Sequence, residues 1–97
     1  MLKIKDNVDL KELEKFGYHS ITFDFNRNEP INHPIYEKLV KQINKKINVM
    51  YLVIKIENRI IKLEEQHQWY VVTLKRVSKK YIQDLIQAEL VEKVSDE

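Results

Sequence analysis

The chain is 97 residues long, 43% apolar and 33% charged, with a formal net charge of +2. That length fits one domain, residues 1–97, whose folding hides roughly 65% of the unfolded chain's accessible area. Its Ile, Val, Leu and Tyr content excludes a disordered chain, and the absence of cysteine excludes a disulfide-built secreted scaffold.

Leu2 and Ile4 alternate with Lys3 and Lys5 as in a short strand. Asp9 is placed to cap a helix from Leu10 to about Phe16, with Glu12 completing a capping box and Gly17 ending it. His19 to Phe25 reads as a strand, with Ile21, Phe23 and Phe25 on one face. A loop from Asn26 to His33 follows, bounded by Pro30 and Pro34.

Pro34 suits the first turn of a second helix, and Ile35, Leu39, Ile43 and Ile47 recur at a spacing of four. Val40 broadens that stripe, and Lys38, Lys41, Lys45 and Lys46 lie on the other side. From Val49 the period switches to two. Val49–Glu57, Ile60–Glu64 and Gln68–Val77 are expected as an antiparallel meander with turns at Asn58-Arg59 and Glu65-Gln66. This register sets Ile54 against Leu63, Ile56 against Ile61 and Tyr70 against Ile61, with Val72 and Leu74 on the same core face. Ser78 is placed to cap a third helix ending near Leu90, whose apolar stripe is Ile82, Leu85, Ile86 and Leu90. Val91 to Val94 is expected to pair with Leu2–Lys5. The fold class is therefore α+β: a mainly antiparallel sheet of about four to six strands with three helices.

The reverse face of the meander carries Tyr51, Val53, Ile60, Trp69 and Val71, interrupted by Lys55, Lys62 and Thr73. A solvated face alternates more cleanly to polar residues. Either a helix covers this side as well, or it is a contact surface for a partner or a second copy. Trp69 is an aromatic anchor on the second reading and a packed sheet edge on the first.

Catalytic signals are absent from the pattern. Ser20, Ser78 and Ser95 lie in no nucleophile elbow, and a single glycine excludes both a P-loop and a dinucleotide fingerprint. His19, His33 and His67 stand too far apart for a zinc motif. No enzyme activity, cofactor or metal site is expected; an acid–base pair drawn from Asp24, Glu29 and His33 is the weakest of the functional readings. Charge is uneven: residues 33–80 carry eleven basic and four acidic groups, giving +7. Lys38, Lys41, Lys45 and Lys46 form one basic cluster, and Lys75, Arg76, Lys79 and Lys80 another. They read as phosphate contacts or as a solvated helix face and a polar turn. With three arginines in the chain, base readout by Arg forks has little material.

The longest apolar run, Val49 to Ile54, is far short of a membrane span, and Met1–Asp6 holds no signal-peptide core. A cytoplasmic location and no membrane partner are expected. Twelve Ile, fourteen Lys and seven Asn against one Ala, one Gly and three Arg point to a low-GC genome.

Asp9-Leu10-Lys11-Glu12-Leu13-Glu14-Lys15-Phe16-Gly17-Tyr18 resembles the opening, and Asp84-Leu85-Ile86-Gln87-Ala88-Glu89-Leu90-Val91-Glu92-Lys93-Val94 the close, of small phage and prophage accessory proteins of low-GC Gram-positive bacteria. The resemblance implies a mobile-element protein in the host bacterial cytosol. It implies stoichiometric action on a host or anti-phage defence protein, such as a CRISPR effector. The leading expectation is thus a non-enzymatic macromolecule-binding protein with a host or phage protein as partner. The alternatives are a nucleic-acid-binding protein using the basic central region, and a small structural or oligomerising phage protein, for which a homodimer is open.

Overall fold

Strands carry most of the architecture in the computed structural model, which describes residues 1–24, 27–42, 48–67, 69–74 and 76–94. Among these, β1 (Leu2–Ile4) pairs with β7 (Val91–Lys93). A five-stranded antiparallel sheet runs in chain order through β2 (His19–Asp24), β3 (Glu29–Gln42), β4 (Val49–Lys55), β5 (Ile61–Gln66) and β6 (Val71–Leu74). Two 3-10 turns, Leu10–Phe16 and Lys79–Tyr81, and a short helix α1 (Gln83–Gln87) complete the elements.

The first helical segment forms as its sequence dictates. The Asp9 carboxylate accepts the Lys11 N–H at 3.0 Å. Gly17, at φ 91°, reverses the chain so that its N–H donates to Glu14 and the Tyr18 N–H to Leu13. Glu12 does not close a capping box; its carboxylate holds Lys15 at 2.9 Å. The last segment keeps its apolar stripe, with Ile82 and Leu85 fully buried and Ile86 and Leu90 packed beside them. It is broken into a 3-10 turn and α1, and Ser78 makes no side-chain cap. The expected closure of the two chain ends is present: Leu2 lies opposite Lys93 and Ile4 opposite Val91.

The middle helix is corrected. Residues 34–42 are extended, and so are 29–33 of the expected loop, so that β3 runs through both prolines. Ile43 to Ile47, Lys45 and Lys46 with them, lie outside the described residues, as do Phe25 and Asn26. A spacing of four is a multiple of two as well as nearly one helical turn, so Ile35 and Leu39 share a side in either structure. What decides is the neighbours: β3 pairs with β2 from Glu29 to Glu37 and with β4 from Ile35 to Gln42, so its backbone finds cross-strand partners along its length. Lys38 and Lys41 therefore stand on a strand rather than along a helix face.

The meander forms with both registers moved. Leu52 lies opposite Leu63 and Ile54 opposite Ile61, because Ile56 leaves the ladder and donates its N–H to Pro34. Leu63 pairs with Leu74, because the β5–β6 turn lies at His67–Tyr70 and not at Glu65-Gln66; the His67 N–H donates to the Tyr70 carbonyl at 2.8 Å. Both shifts are even, so the side chains that stay in the ladders keep their predicted faces, but Tyr70, expected on the core face opposite Ile61, lies in the turn and is 58% exposed.

One face of the sheet, through Tyr36, Met50, Leu52, Ile54, Ile61 and Leu63, closes the core against Ile4, Leu13, Tyr18, Ile82 and Leu85. Arg59, at φ 62° in the β4–β5 turn, ties the N-terminal segment to it. Its Nη1 donates to the carbonyls of Lys5 (2.7 Å) and Val8 (2.6 Å), and its own carbonyl accepts the Ile4 N–H. Replacing Arg59 by Leu removes both of these bonds at a part-buried site, leaving the Lys5 carbonyl with the Val8 N–H alone. It is expected to lower unfolding stability by about 2–3 kcal/mol, the worth of hydrogen bonds to a charged donor, as read by urea titration.

Candidate functional site

The second face of the five-stranded sheet has no helix on it among the described residues, because all the buried helical side chains point into the core. Strand register lays this face out in cross-strand rows. Ile21, Ile35 and Lys55 form the first, and His19, Glu37, Val53 and Lys62 the second. Leu39, Tyr51, Glu64 and Thr73 form the third, and Gln42, Val49, Gln66 and Val71 the fourth. The first two rows mix charge with apolar groups. The last two, at the end of the sheet that holds the β5–β6 turn, carry Leu39, Tyr51, Val49 and Val71 beside Glu64, Thr73, Gln42 and Gln66.

The five interface candidates are distributed as follows. Tyr51 is half-buried in the third row, and Val53, only 6% exposed, is buried in the second apart from the main core cluster. Val71 is 57% exposed in the fourth row, and Trp69, in the turn leading into it, is 85% exposed. Ile60 is drawn away, half-buried and bridged to Lys3 of β1. Sequence reasoning missed Leu39, 52% exposed beside Tyr51, because the helical reading placed it in the core. The same turn stacks His67 on Tyr70, ring centroids 4.5 Å apart, and Tyr70 is itself exposed.

Glu37 gives the centre of this face its electrostatic character. Burial among its neighbours pushes its carboxyl above the ordinary range, Glu64 across β4 adds to the shift, and His19, directly opposite on β2, works against it.

Among the described residues, the basic candidates divide between β3 and the second 3-10 turn. Lys38 leaves β3 on the core side, with its ammonium 5.5 Å above the Tyr18 ring and 3.4 Å from Asp84. Lys41 is exposed on β3, and Arg76, Lys79 and Lys80 are exposed around the second 3-10 turn, where Lys80 sits 5.0 Å over the Tyr81 ring. Lys75 lies outside the described residues. The acid–base candidates also separate. Asp24 faces Glu29 across the β2–β3 hairpin and engages Arg27, whereas His33 contacts Glu57 at 3.3 Å. No group of three metal-ligating side chains is assembled among the described residues, and no helix there is long and apolar enough to cross a membrane.

Comparison with protein-family models, curated proteins and solved structures finds no match to this chain.

The Glu37 environment carries a pH signature. Its raised folded pKa means that the protonated form is favoured in the native state; that stability is full below the ordinary carboxyl range and is lost as pH rises through the raised value. Glu37→Gln is therefore expected to be more stable than the parent at neutral pH. The gap should close on acidification, as followed by thermal melts across pH.

Proposed function

We propose that this chain is a non-enzymatic protein-binding module, and that it captures its partner on the uncovered end of the five-stranded sheet. One observation carries the reading: Leu39 on β3, Val71 on β6 and Trp69 in the β5–β6 turn are all more than half exposed at the same end of the open face. Monomeric folds seldom leave large apolar groups together in solvent unless the patch is used. Trp and Tyr are the residues that most often dominate a binding interface, because a large rigid ring buries much area at little entropic cost.

The segments that resemble phage accessory proteins give the partner its proposed class. It is a host or defence protein of the bacterial cytosol, such as a CRISPR effector, held stoichiometrically and not turned over. The nucleic-acid reading has less to stand on, since the lysines credited to one helix face belong in part to a strand, and Lys38 is engaged inside the fold.

The test is affinity capture from cells of a low-GC Gram-positive host, comparing the parent with the double variant Leu39→Lys, Trp69→Ala. Both positions are exposed, so the fold should survive. A protein retained in equimolar amount by the parent is expected to bind the double variant at least thirtyfold more weakly, roughly 2 kcal/mol for a lost hot spot. Equal retention by both forms overturns this surface. Recovery of nucleic acid alone, with binding that falls steeply as salt rises, transfers the function to phosphate contacts.

A further inference from the structure

The two edges of the five-stranded sheet are built differently. β2 has a register irregularity between Ile21 and Phe23 and carries His19 and Asp24, features that discourage another strand from pairing there. β6, Val71-Val72-Thr73-Leu74, has no charge and no proline, its register against β5 is regular, and among the described residues it pairs with β5 alone.

Which backbone groups of β6 are free follows from the hairpin. The His67 N–H bonds to the Tyr70 carbonyl, so hydrogen-bonded pairs alternate outward from there. Glu65 with Val72, and Leu63 with Leu74, are then the pairs that exchange bonds. The N–H and C=O of Val71 and Thr73 point away from β5, on the outer edge. Side chains sort the same way as on the rest of the sheet: Val71 and Thr73 on the open face, Val72 and Leu74 toward the core side.

We propose that β6 is a self-pairing edge, on which a second copy of this chain docks antiparallel about a two-fold axis through Val72. In that register Val71 lies opposite Thr73 of the second copy, and Thr73 opposite its Val71. All four outward groups of each strand find partners, and Val72 meets Val72. Residues directly opposite one another share a face, so the open face of one copy continues into that of the other, and Tyr70 comes opposite Leu74. Self-pairing is the case in which a charged edge confronts its own charge, and here none stands in the strand. Two four-residue edges bury much less than the ~1,600 Å² of a standard stable interface, so the association is weak and rapidly reversible. It does not rest on the partner-capture reading, since it uses the strand edge and not the face.

Sedimentation velocity of the full chain is the test, run up to the highest concentration it tolerates. The average mass is expected to rise from 11.8 kDa toward twice that value with concentration. Thr73→Pro removes an outward N–H and leaves the bonds to β5 in place. It is expected to keep the parent's circular dichroism and to stay monomeric, and Thr73→Lys to do the same. Amide exchange on the parent supplies a measurement that needs no variant: protection of Val71 and Thr73 should grow with concentration, while Val72 is protected throughout. A mass that stays at the monomer value overturns the proposal. So does a Thr73→Pro form that associates as the parent does, exchange at Val71 and Thr73 that ignores concentration, or association abolished by Leu39→Lys, which places the contact on the face.

Discussion

The double pairing of β3 is the constraint from which the rest of the molecule follows. Paired with β2 as far as Glu37 and with β4 from Ile35 onward, β3 sends Tyr36 and Lys38 one way and Ile35, Glu37 and Leu39 the other, up to a register irregularity at Val40, which packs on the core side. On the core side this puts a lysine among apolar groups, where an unpaired ammonium is costly. The chain resolves the conflict from two directions. The Lys38 stem lies along Gly17, where a Cβ built on the glycine would sit 3.5 Å from its Cε, and its charge rests between the Tyr18 ring and Asp84. Gly17 ends the first 3-10 turn and Asp84 belongs to α1, so a single side chain of the sheet touches both helical segments, whose buried anchors are Leu13, Ile82 and Leu85.

Asp84 also acts on Tyr18. The phenol is buried, burial pushes its pKa well above the usual range, and the nearby carboxylate pushes it further, so Tyr18 stays neutral under the ammonium of Lys38. It serves as an aromatic floor for the cation, beneath the sheet and away from the open face. The polar chemistry of the core side is spent on assembly.

The sequence was most legible where only local chemistry mattered and where parity protected the reading. Asp9 and Gly17 bound the first turn as expected, because capping and a left-handed residue act within a few positions. The β4–β5 and β5–β6 registers moved by two and six residues, yet Leu63, Val72 and Leu74 kept their sides, since even slips preserve the pleat. The helix expected over 34–47 failed for a related reason. Ile35 with Leu39, and Tyr36 with Val40, form one broad stripe on a helix; on a strand the first pair is open and the second packs inward. Periodicity at four does not separate these, and only long-range pairing does. Leu39 was lost to the site by that ambiguity, whereas Tyr51, Val53 and Val71 were placed on the reverse face by simple alternation. Arg59 was read as a turn residue, which it is, but its grip on Lys5 and Val8 joins segments more than fifty positions apart and leaves no local trace.

The open face has a polarity of its own, set by what a sheet can shield without a second layer. At its centre Val53 is closed off between flanking strands, where Glu37 and Lys62 stand directly beside it. Long charged side chains can cover an apolar neighbour with their stems while their heads stay wet. Glu37 bears the cost of that cover in its raised carboxyl. Toward the β5–β6 turn, Glu64 opposite Tyr51 is the one charged side chain in the last two rows among the described residues. Leu39 has Tyr51 opposite it, Val71 has Gln66, and the turn beyond presents Trp69 and Tyr70. The same sheet is thus self-sealing at one end and bare at the other, and the bare end adjoins the strand whose edge carries no charge. Among the described residues the helical segments lie on the core side and none crosses the open face. Within those same described residues the chain closes a core on one face of the sheet and, by the same economy of helix, leaves the other face to its own side chains.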